Sequence, residues 1–501
     1  MSRQVFKELD AYRTEKGKYT LLPFRFSRLR GKTKQILLTS EVGEFQFVNN
    51  CDFQALVKGD LSPDSPVYDE LLSKHILVEG NPETAIRLLA AKYRTKKSAL
   101  RSGPSLHIFV VSLRCDHSCP YCQVSRQSPD RERFDMTTET AIEAVKRLFE
   151  SPSPALTVEF QGGEPLLAFE KIKLITEEIV KRNAIEKRQI TFSITTTLHF
   201  VTDQILEFFK IHRFQVSTSI DGPEWLHNQN RTKAGGDSYA KTIAMLEKTR
   251  AYLGIENVAA LTTLTKASLA YPHEIVDEYV RLGFRSIFLR PLSPYGFAIK
   301  TEHKIGYKIE EFLKFYDSAL SYILELNKKG TVLEEAYTAI VLTHILTPFA
   351  TGYVDLRSPA GAGCGVLVYN YDGSVYASDE SRMLAEMGQK PFRLGNVNQS
   401  YEQLLKSDAM QLILATGIAE ALPGCSDCAF LSYCGADPVY HFARQGDPVG
   451  NRTASEFCKK QTHIFNNLFE HLETNEPNTM RIFLAWINRR APSEIFPGAT
   501  T

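Results

Sequence analysis

Three of the nine cysteines in this 501-residue chain form its densest chemical group, Cys115-x3-Cys119-x2-Cys122. They follow an apolar run, Leu106 to Leu113, that reads as a buried strand. A 4Fe–4S cube needs four thiolates for a full ligand set, so three leave one iron open to bind something else. A zinc knuckle or a chance cluster is the competing assignment. Zinc sites usually close with four ligands, however, and no fourth Cys or well-placed His follows nearby, His117 being inside the loop. A second group, Cys425-x2-Cys428-x5-Cys434 with Cys458 24 residues later, offers four thiolates and could close an Fe–S or a zinc site. Two further stretches stand out. Gln161-Gly162-Gly163-Glu164-Pro165-Leu166-Leu167 has glycines that let a backbone approach a ligand, with peptide groups able to pair with an ammonium and a carboxylate. Ser219-Ile220-Asp221-Gly222-Pro223, with His227 to Arg231 close behind, is otherwise an ordinary β-turn.

The elements that must position these residues read as α/β. From residue 104, apolar strand candidates start near Leu106, Leu156, Ile190, Phe214, Val258 and Ser286. Helical stretches lie between them, such as Thr137–Phe149, and others begin near Ala168, Thr202, Ser238 and Pro272. Six βα repeats predict a parallel barrel or open sheet with helices outside and chemistry at the C-terminal strand ends, where these motifs fall. Residues 1–100 predict a separate winged-helix-like module. Its strands are Tyr19–Ser27, Gln35–Thr39 and Glu44–Val48, with turns at Arg30-Gly31-Lys32 and around Gly43. Helices follow, with N-caps expected at Ser65-Pro66 and Asn81-Pro82. The basic run Lys92 to Arg101 reads as solvated surface. Residues 101–335 would hold the repeats and residues 336–501 the second cysteine group.

Composition bounds the partners. The hydrophobic fraction of 43% supports sizeable cores, and a net charge of +1 gives no argument for nucleic acid or an anionic membrane. No run approaches the roughly 18 apolar residues of a membrane span, and Met1 to Glu8 lacks a signal-peptide core. Cysteines without an export signal point to reduced thiolates and a cytoplasmic location. Eight of the nine fall in residues 115–122 and 364–458, which favours metal ligation over disulfides.

With its C-x3-C-x2-C loop, Gly162-Gly163-Glu164-Pro165 and the Ser219 block, the chain resembles the radical S-adenosylmethionine (SAM) enzymes. The resemblance implies a partial (β/α)6 barrel whose open iron chelates SAM, so that a reduced cluster yields a 5′-deoxyadenosyl radical. It implies SAM contacts from Gly162, Gly163, Glu164 and Pro165 at the methionine end. The block around Ser219 is similar to that of anaerobic sulfatase-maturating enzymes, which implies SAM contacts from Ser219 and Arg231, with Tyr121 beside the adenine. Ser193 to Thr197 lacks the asparagine and glycine often found in such enzymes.

The C-terminal cysteines resemble the SPASM extension of radical SAM peptide maturases, with Pro438 and Ser378 standing where cysteines are expected. The implication is one auxiliary 4Fe–4S cluster on Cys425, Cys428, Cys434 and Cys458, with Cys364 a remnant; structural zinc is the competing assignment. Asp379 falls where sulfatase maturases carry a proposed base, its alternative role being a surface turn acid. The N-terminal module resembles, in pattern only, the precursor-recognition domains fused to peptide-modifying enzymes; a DNA-binding wing and a purely structural cap are the alternatives. The whole order is most like the His-Xaa-Ser system radical SAM maturases. It implies radical modification of a small peptide precursor, a reducing partner such as flavodoxin or ferredoxin, and a possible partner maturase. Formylglycine formation on a sulfatase is one alternative; a non-catalytic Fe–S or zinc peptide-binding scaffold is the other.

Overall fold

A computed structural model of the chain describes residues 17–29, 31, 34–349, 351–491 and 494. The start Met1 to Glu8 and the turn residues Arg30 and Lys32 lie outside the described residues.

The N-terminal part holds β1 (Tyr19–Leu21), β2 (Phe24–Arg28), β3 (Ile36–Ser40), β4 (Phe45–Val48) and β5 (Leu77–Glu79). β2, β3 and β4 form an antiparallel meander, Phe24 opposite Ser40 and Ile36 opposite Val48. The run Tyr19–Ser27, expected as one strand, breaks at Leu22-Pro23. Pro23 has no N–H to donate to a ladder, and β1 turns away to pair antiparallel with β5. Helices Asn50–Lys58, Tyr68–Ser73 and Glu83–Lys96 complete the unit, which buries Leu38, Leu56, Tyr68 and Leu71 in a core of its own. The expected caps shift. Asn49 caps the first helix through Asp52 N at 2.8 Å, the second begins at Tyr68 without a side-chain cap, and Pro82 is the cap residue of the third.

The main sheet uses β6 (Leu106–Ser112), β7 (Ala155–Gly162), β8 (Gln189–Thr195), β9 (Gln215–Ser219) and β10 (Val258–Thr263). Next come β11 (Ser286–Ile287), β12 (Leu289–Arg290), β13 (Glu334–Glu335), β14 (Val366–Tyr369), β15 (Ser374–Tyr376) and β16 (Arg393–Asn396). Its order is β12-β10-β9-β8-β7-β6-β14-β15-β16. It is parallel from β12 to β14, and β15 pairs antiparallel with both β14 and β16. Helices Thr138–Glu150, Phe169–Glu186, Asp203–Ile211, Ser238–Leu253 and Pro272–Arg281 fall between successive strands. This is the parallel α/β sheet that the strand–helix alternation predicts, in keeping with the partial barrel that the resemblance implies, with two departures. The sixth strand is split, because β11 pairs with β13 while β12 pairs with β10. β14 lies parallel beside β6, so the C-terminal part adds three strands to the same sheet.

The basic run is only partly solvated: Arg94 and Arg101 are exposed, but its three lysines are engaged. Lys92 bonds Glu44 at 2.5 Å, Lys96 donates to Val42 O at 3.1 Å, and Lys97 pairs with Glu420 at 2.8 Å. Burial lowers Lys96 to about 8. Thr39 and Tyr433 also bridge the N-terminal sheet and the cysteine loop 425–434, through Ala429 O and Gly43 O. Among the described residues no helix is long and apolar enough to cross a membrane.

Candidate functional site

The cysteine loop leaves β6 and is clamped on both sides. Ser118 N donates to Thr232 O and Thr232 Oγ1 to Ser118 O, each at 2.7 Å. Phe297 N donates to Cys122 O at 2.8 Å. There a glycine is required, since a Cβ on Gly296, at φ +61°, would stand 2.6 Å from Cys122 O. Asp116 accepts from His117 Nδ1 at 2.8 Å and His199 Nδ1 at 3.0 Å, while His117 Nε2 meets Ser238 Oγ at 2.8 Å. Burial opposes the Asp116 charge, but these two imidazoles hold its carboxyl well below the usual range. This buried network braces the loop and had no sequence signal, because His199 and Ser238 are remote in the chain. Burial pushes the Cys119 thiol up to about 12 and the Cys115 thiol well above its ordinary value. These two buried thiols, with Cys122 on the same loop, fit a metal cluster, whose positive centre replaces the protons that burial retains on Cys115 and Cys119.

Beside the loop lies a cavity of about 300 Å³ at the C-terminal ends of the strands. Gly162, Gly163, Ser219, Arg231 and Asp379 line it, as do Glu159, Arg290 and Glu380, which sequence reasoning missed. The two glycines serve the loop as well as the cavity. A Cβ on Gly162 would meet Ser112 O at 2.0 Å, and one on Gly163 would meet Arg114 O at 2.4 Å. Gly163 N and Glu164 N donate to those same carbonyls at 2.9 and 2.7 Å.

Glu164 and Pro165 do not line the cavity. Glu164 is fully buried; its Oε1 accepts from Leu166 N at 2.9 Å and Thr196 Oγ1 at 2.7 Å, and its Oε2 from Thr197 N at 2.7 Å. It ties the turn after β7 to the turn after β8. Tyr121 is also turned inward: its hydroxyl donates to Asp221, and its ring lies 5.5 Å from the Arg231 guanidinium. Arg231 Nε stands 3.2 Å from Asp221. Burial opposes the Arg231 charge, but Asp221 more than offsets it and raises the pKa.

Asp379 opens the helix Asp379–Glu386, capped by Ser378, and accepts from Arg382 Nε at 2.8 Å. It is a cavity-wall acid, not a surface turn acid.

The four C-terminal cysteines surround one small cavity with His441, Arg452 and Phe465, and Cys364 is not on its wall. Cys458 sits in the first turn of helix Glu456–Thr474, with Ser455 capping its N–H at 3.1 Å. Arg452 Nε is buried there without a hydrogen-bond partner among the described residues. An orphan donor on a wall of four thiols fits an anionic cluster. The sulfurs sit wider than zinc needs: tetrahedral bonds of about 2.3 Å bring thiolates within about 3.8 Å, yet no three of these sulfurs lie within 4.8 Å of one another. Ser378 and Pro438, the two positions expected as cysteine, meet around another small cavity, each starting a helix.

Residues 109–289 match the model of the Radical SAM superfamily. The chain is 26% identical over 229 residues to the radical SAM cyclopropyl synthase TigE of Paramaledivibacter caminithermalis, covering 43% of this chain and 45% of that protein. It is 25% identical over 284 residues to a cysteine-type anaerobic sulfatase-maturating enzyme of Clostridium perfringens, covering 55% of this chain and 74% of that one. The crystal structure of Streptococcus suis SuiB bound to precursor peptide SuiA shares the fold at TM-score 0.50 and 14% identity, covering 87% of this chain and 99% of that one. Residues 109–289 thus form a radical SAM enzyme domain, whose cofactors are a 4Fe–4S cluster and SAM.

Proposed function

We propose that this radical SAM enzyme is a cytoplasmic maturase of a ribosomally made peptide, the His-Xaa-Ser repeat precursor being the reading its motif order favours. The observation that carries it is the cavity of about 300 Å³ that runs from Gln123 and Val124, directly after the cysteine loop, past Gly162, Gly163, Ser219 and Arg231 to Asp379. Cys115, Cys119 and Cys122 would hold the catalytic cluster, and Cys425, Cys428, Cys434 and Cys458 the auxiliary one. Once bound, the cluster and SAM would supply radical chemistry able to remove hydrogen from a carbon of the substrate.

The chain's own residues position that chemistry. Gly162 and Gly163 present backbone to the methionine end of SAM. Ser219 and Arg231 border the same space. Arg382 orients Asp379, which stands on the cavity wall where it could accept a proton from a heteroatom bonded to the reacting carbon. The N-terminal unit, bonded to the auxiliary cysteine loop, would take up the precursor's leader as an added strand. Electrons would come from a flavodoxin or ferredoxin, and a partner maturase fits a multi-step modification.

Formylglycine formation on a sulfatase is the second reading, favoured by the identity to the Clostridium enzyme and by Asp379 on the cavity wall. The reconstituted enzyme separates the two when given SAM, reductant and either a His-Xaa-Ser repeat peptide or a sulfatase peptide bearing the target Cys or Ser. A SAM-dependent mass change on the repeat peptide alone supports the first reading. Change on the sulfatase peptide alone replaces it with the second, and change on neither refutes both substrates.

A further inference from the structure

A second cavity of about 130 Å³ adjoins the first, and Arg290 and Glu380 line both. Three carboxylates reach it from three separate elements. Asp355 comes from the turn Val354–Leu356, Glu380 from helix Asp379–Glu386, and Asp437 from the cap of helix Pro438–Gln445. Arg290 and Lys460 are the cations among them, and Lys460 leans over the Tyr337 and Phe457 rings at 5.1 and 5.8 Å. At the rim Arg444 pairs with Glu302 at 2.9 Å and Glu456 at 3.8 Å. The wall therefore carries five carboxylates (Asp355, Glu380, Asp437, Glu302, Glu456) against three cations (Arg290, Lys460, Arg444). Two negative charges are in excess when all are ionised.

A second feature points into the same space. Tyr295 is 2% exposed, lines this cavity, and its hydroxyl has no hydrogen-bond partner among the described residues. It lies within electrostatic reach of Asp437, Glu380 and Asp355. A buried hydroxyl left unpaired is costly, so the arrangement is complete only with an occupant. Burial, then Asp355, raises Glu380 to about 8 and Asp437 to about 7, as expected of carboxylates short of cations.

The occupant's chemistry follows from size and charge. The volume is well below the roughly 300 Å³ of a small-molecule site, which leaves room for one side chain. A single metal ion does not fit, because its ligands sit within about twice a 2.4 Å bond and Asp355, Glu380 and Asp437 do not converge within 4.8 Å. Tyr307, Tyr316, Tyr337 and Tyr353 also line it, and the Lys460 ammonium over the Tyr337 ring shows that this wall accommodates a cation. We infer that this cavity receives one positively charged side chain of the peptide substrate, an ammonium, guanidinium or imidazolium, held by Glu380, Asp437 and the Tyr295 hydroxyl. The shared wall of Arg290 and Glu380 sets that anchored residue beside the one that reacts. The inference rests on the peptide-maturase reading.

Saturation-transfer NMR of the full reconstituted enzyme tests it, with n-butylammonium, ethylguanidinium and 4-methylimidazolium as probes and n-butanol and butyrate as neutral and anionic controls. At least one cation should bind tenfold or more tightly than both controls. Glu380→Gln and Tyr295→Phe should each weaken that cation at least fivefold; Tyr295→Phe removes one oxygen only and stays informative if the first variant misfolds. Cations binding no better than n-butanol, or unchanged affinity in Tyr295→Phe, overturns the inference. Formation of 5′-deoxyadenosine by the same wild-type preparation without peptide separates the failures. SAM cleavage without cation preference sinks this inference alone, whereas no SAM cleavage sinks the reading beneath it.

Discussion

Glu164 distinguishes a cofactor ligand from a positioning residue. Its two oxygens accept three hydrogen bonds, from Leu166 N, Thr196 Oγ1 and Thr197 N, at 2.7–2.9 Å in a fully buried setting. Glu164→Ala would strand two backbone N–H groups and one hydroxyl. Each buried unsatisfied group costs about 1–3 kcal/mol, and after partial relaxation of the turn a net loss of about 3 kcal/mol is expected. For a folding unit of 150–250 residues, each kcal/mol moves the melting temperature by about 2–4 °C, so the loss should be about 6–12 °C. Glu164→Gln, which keeps one acceptor oxygen, should fall between. The assay is a thermal melt of the reconstituted enzyme beside a SAM-binding titration. A melting temperature unchanged within about 2 °C, together with lost SAM affinity, would refute the reasoning and make Glu164 a direct ligand.

Arg231→Ala should destabilise by about 3–5 kcal/mol, because it leaves Asp221 buried and unpaired; adding Asp221→Asn should recover much of that in a double-mutant cycle, and strict additivity would contradict the pairing. Cys434→Ser should strip the auxiliary iron and destabilise the C-terminal region, whereas Cys364→Ser should leave iron content unchanged; equal losses would place Cys364 in the cluster. Stability should fall as pH rises from about 6.5 to about 8. Burial lowers His107, His344 and His441 to about 4, which adds stability as pH rises towards about 6.5 and opposes the carboxyls below it. Above it only the raised carboxyls count: Glu380, at about 8, and Asp437, at about 7, still bind protons in the folded chain that the unfolded chain has lost. Melting temperatures should descend across that upper window and descend less in Glu380→Gln, and a rise there would contradict the assignment.

The cysteine loop was legible because its ligands are local: one strand end and eight residues carry the whole pattern. The strand–helix alternation was legible for the same reason, each element announcing its own period. What the sequence withheld is assembled from distant parts. Glu164 sits inside a cofactor motif, but its partners Thr196 and Thr197 lie 32 and 33 residues on, so its inward role cannot be read from the motif. Asp355, Glu380, Asp437, Arg290 and Lys460 each look like ordinary surface charges, and only packing gathers them. Lys92, Lys96 and Lys97 read as a solvated run because Glu44, Val42 and Glu420 are not visible as their partners. Pro23 was a readable signal that Tyr19–Ser27 could not be one strand.

The central claim is that the three thiols of one loop carry a cluster that cleaves SAM. Its most direct test is 5′-deoxyadenosine formation by the anaerobically reconstituted enzyme with dithionite and SAM, beside the triple variant Cys115→Ala, Cys119→Ala, Cys122→Ala. The wild type should form 5′-deoxyadenosine; the variant should form none while keeping the auxiliary iron, about half the total for two cubes of similar size. SAM cleavage that survives the triple change would contradict the account.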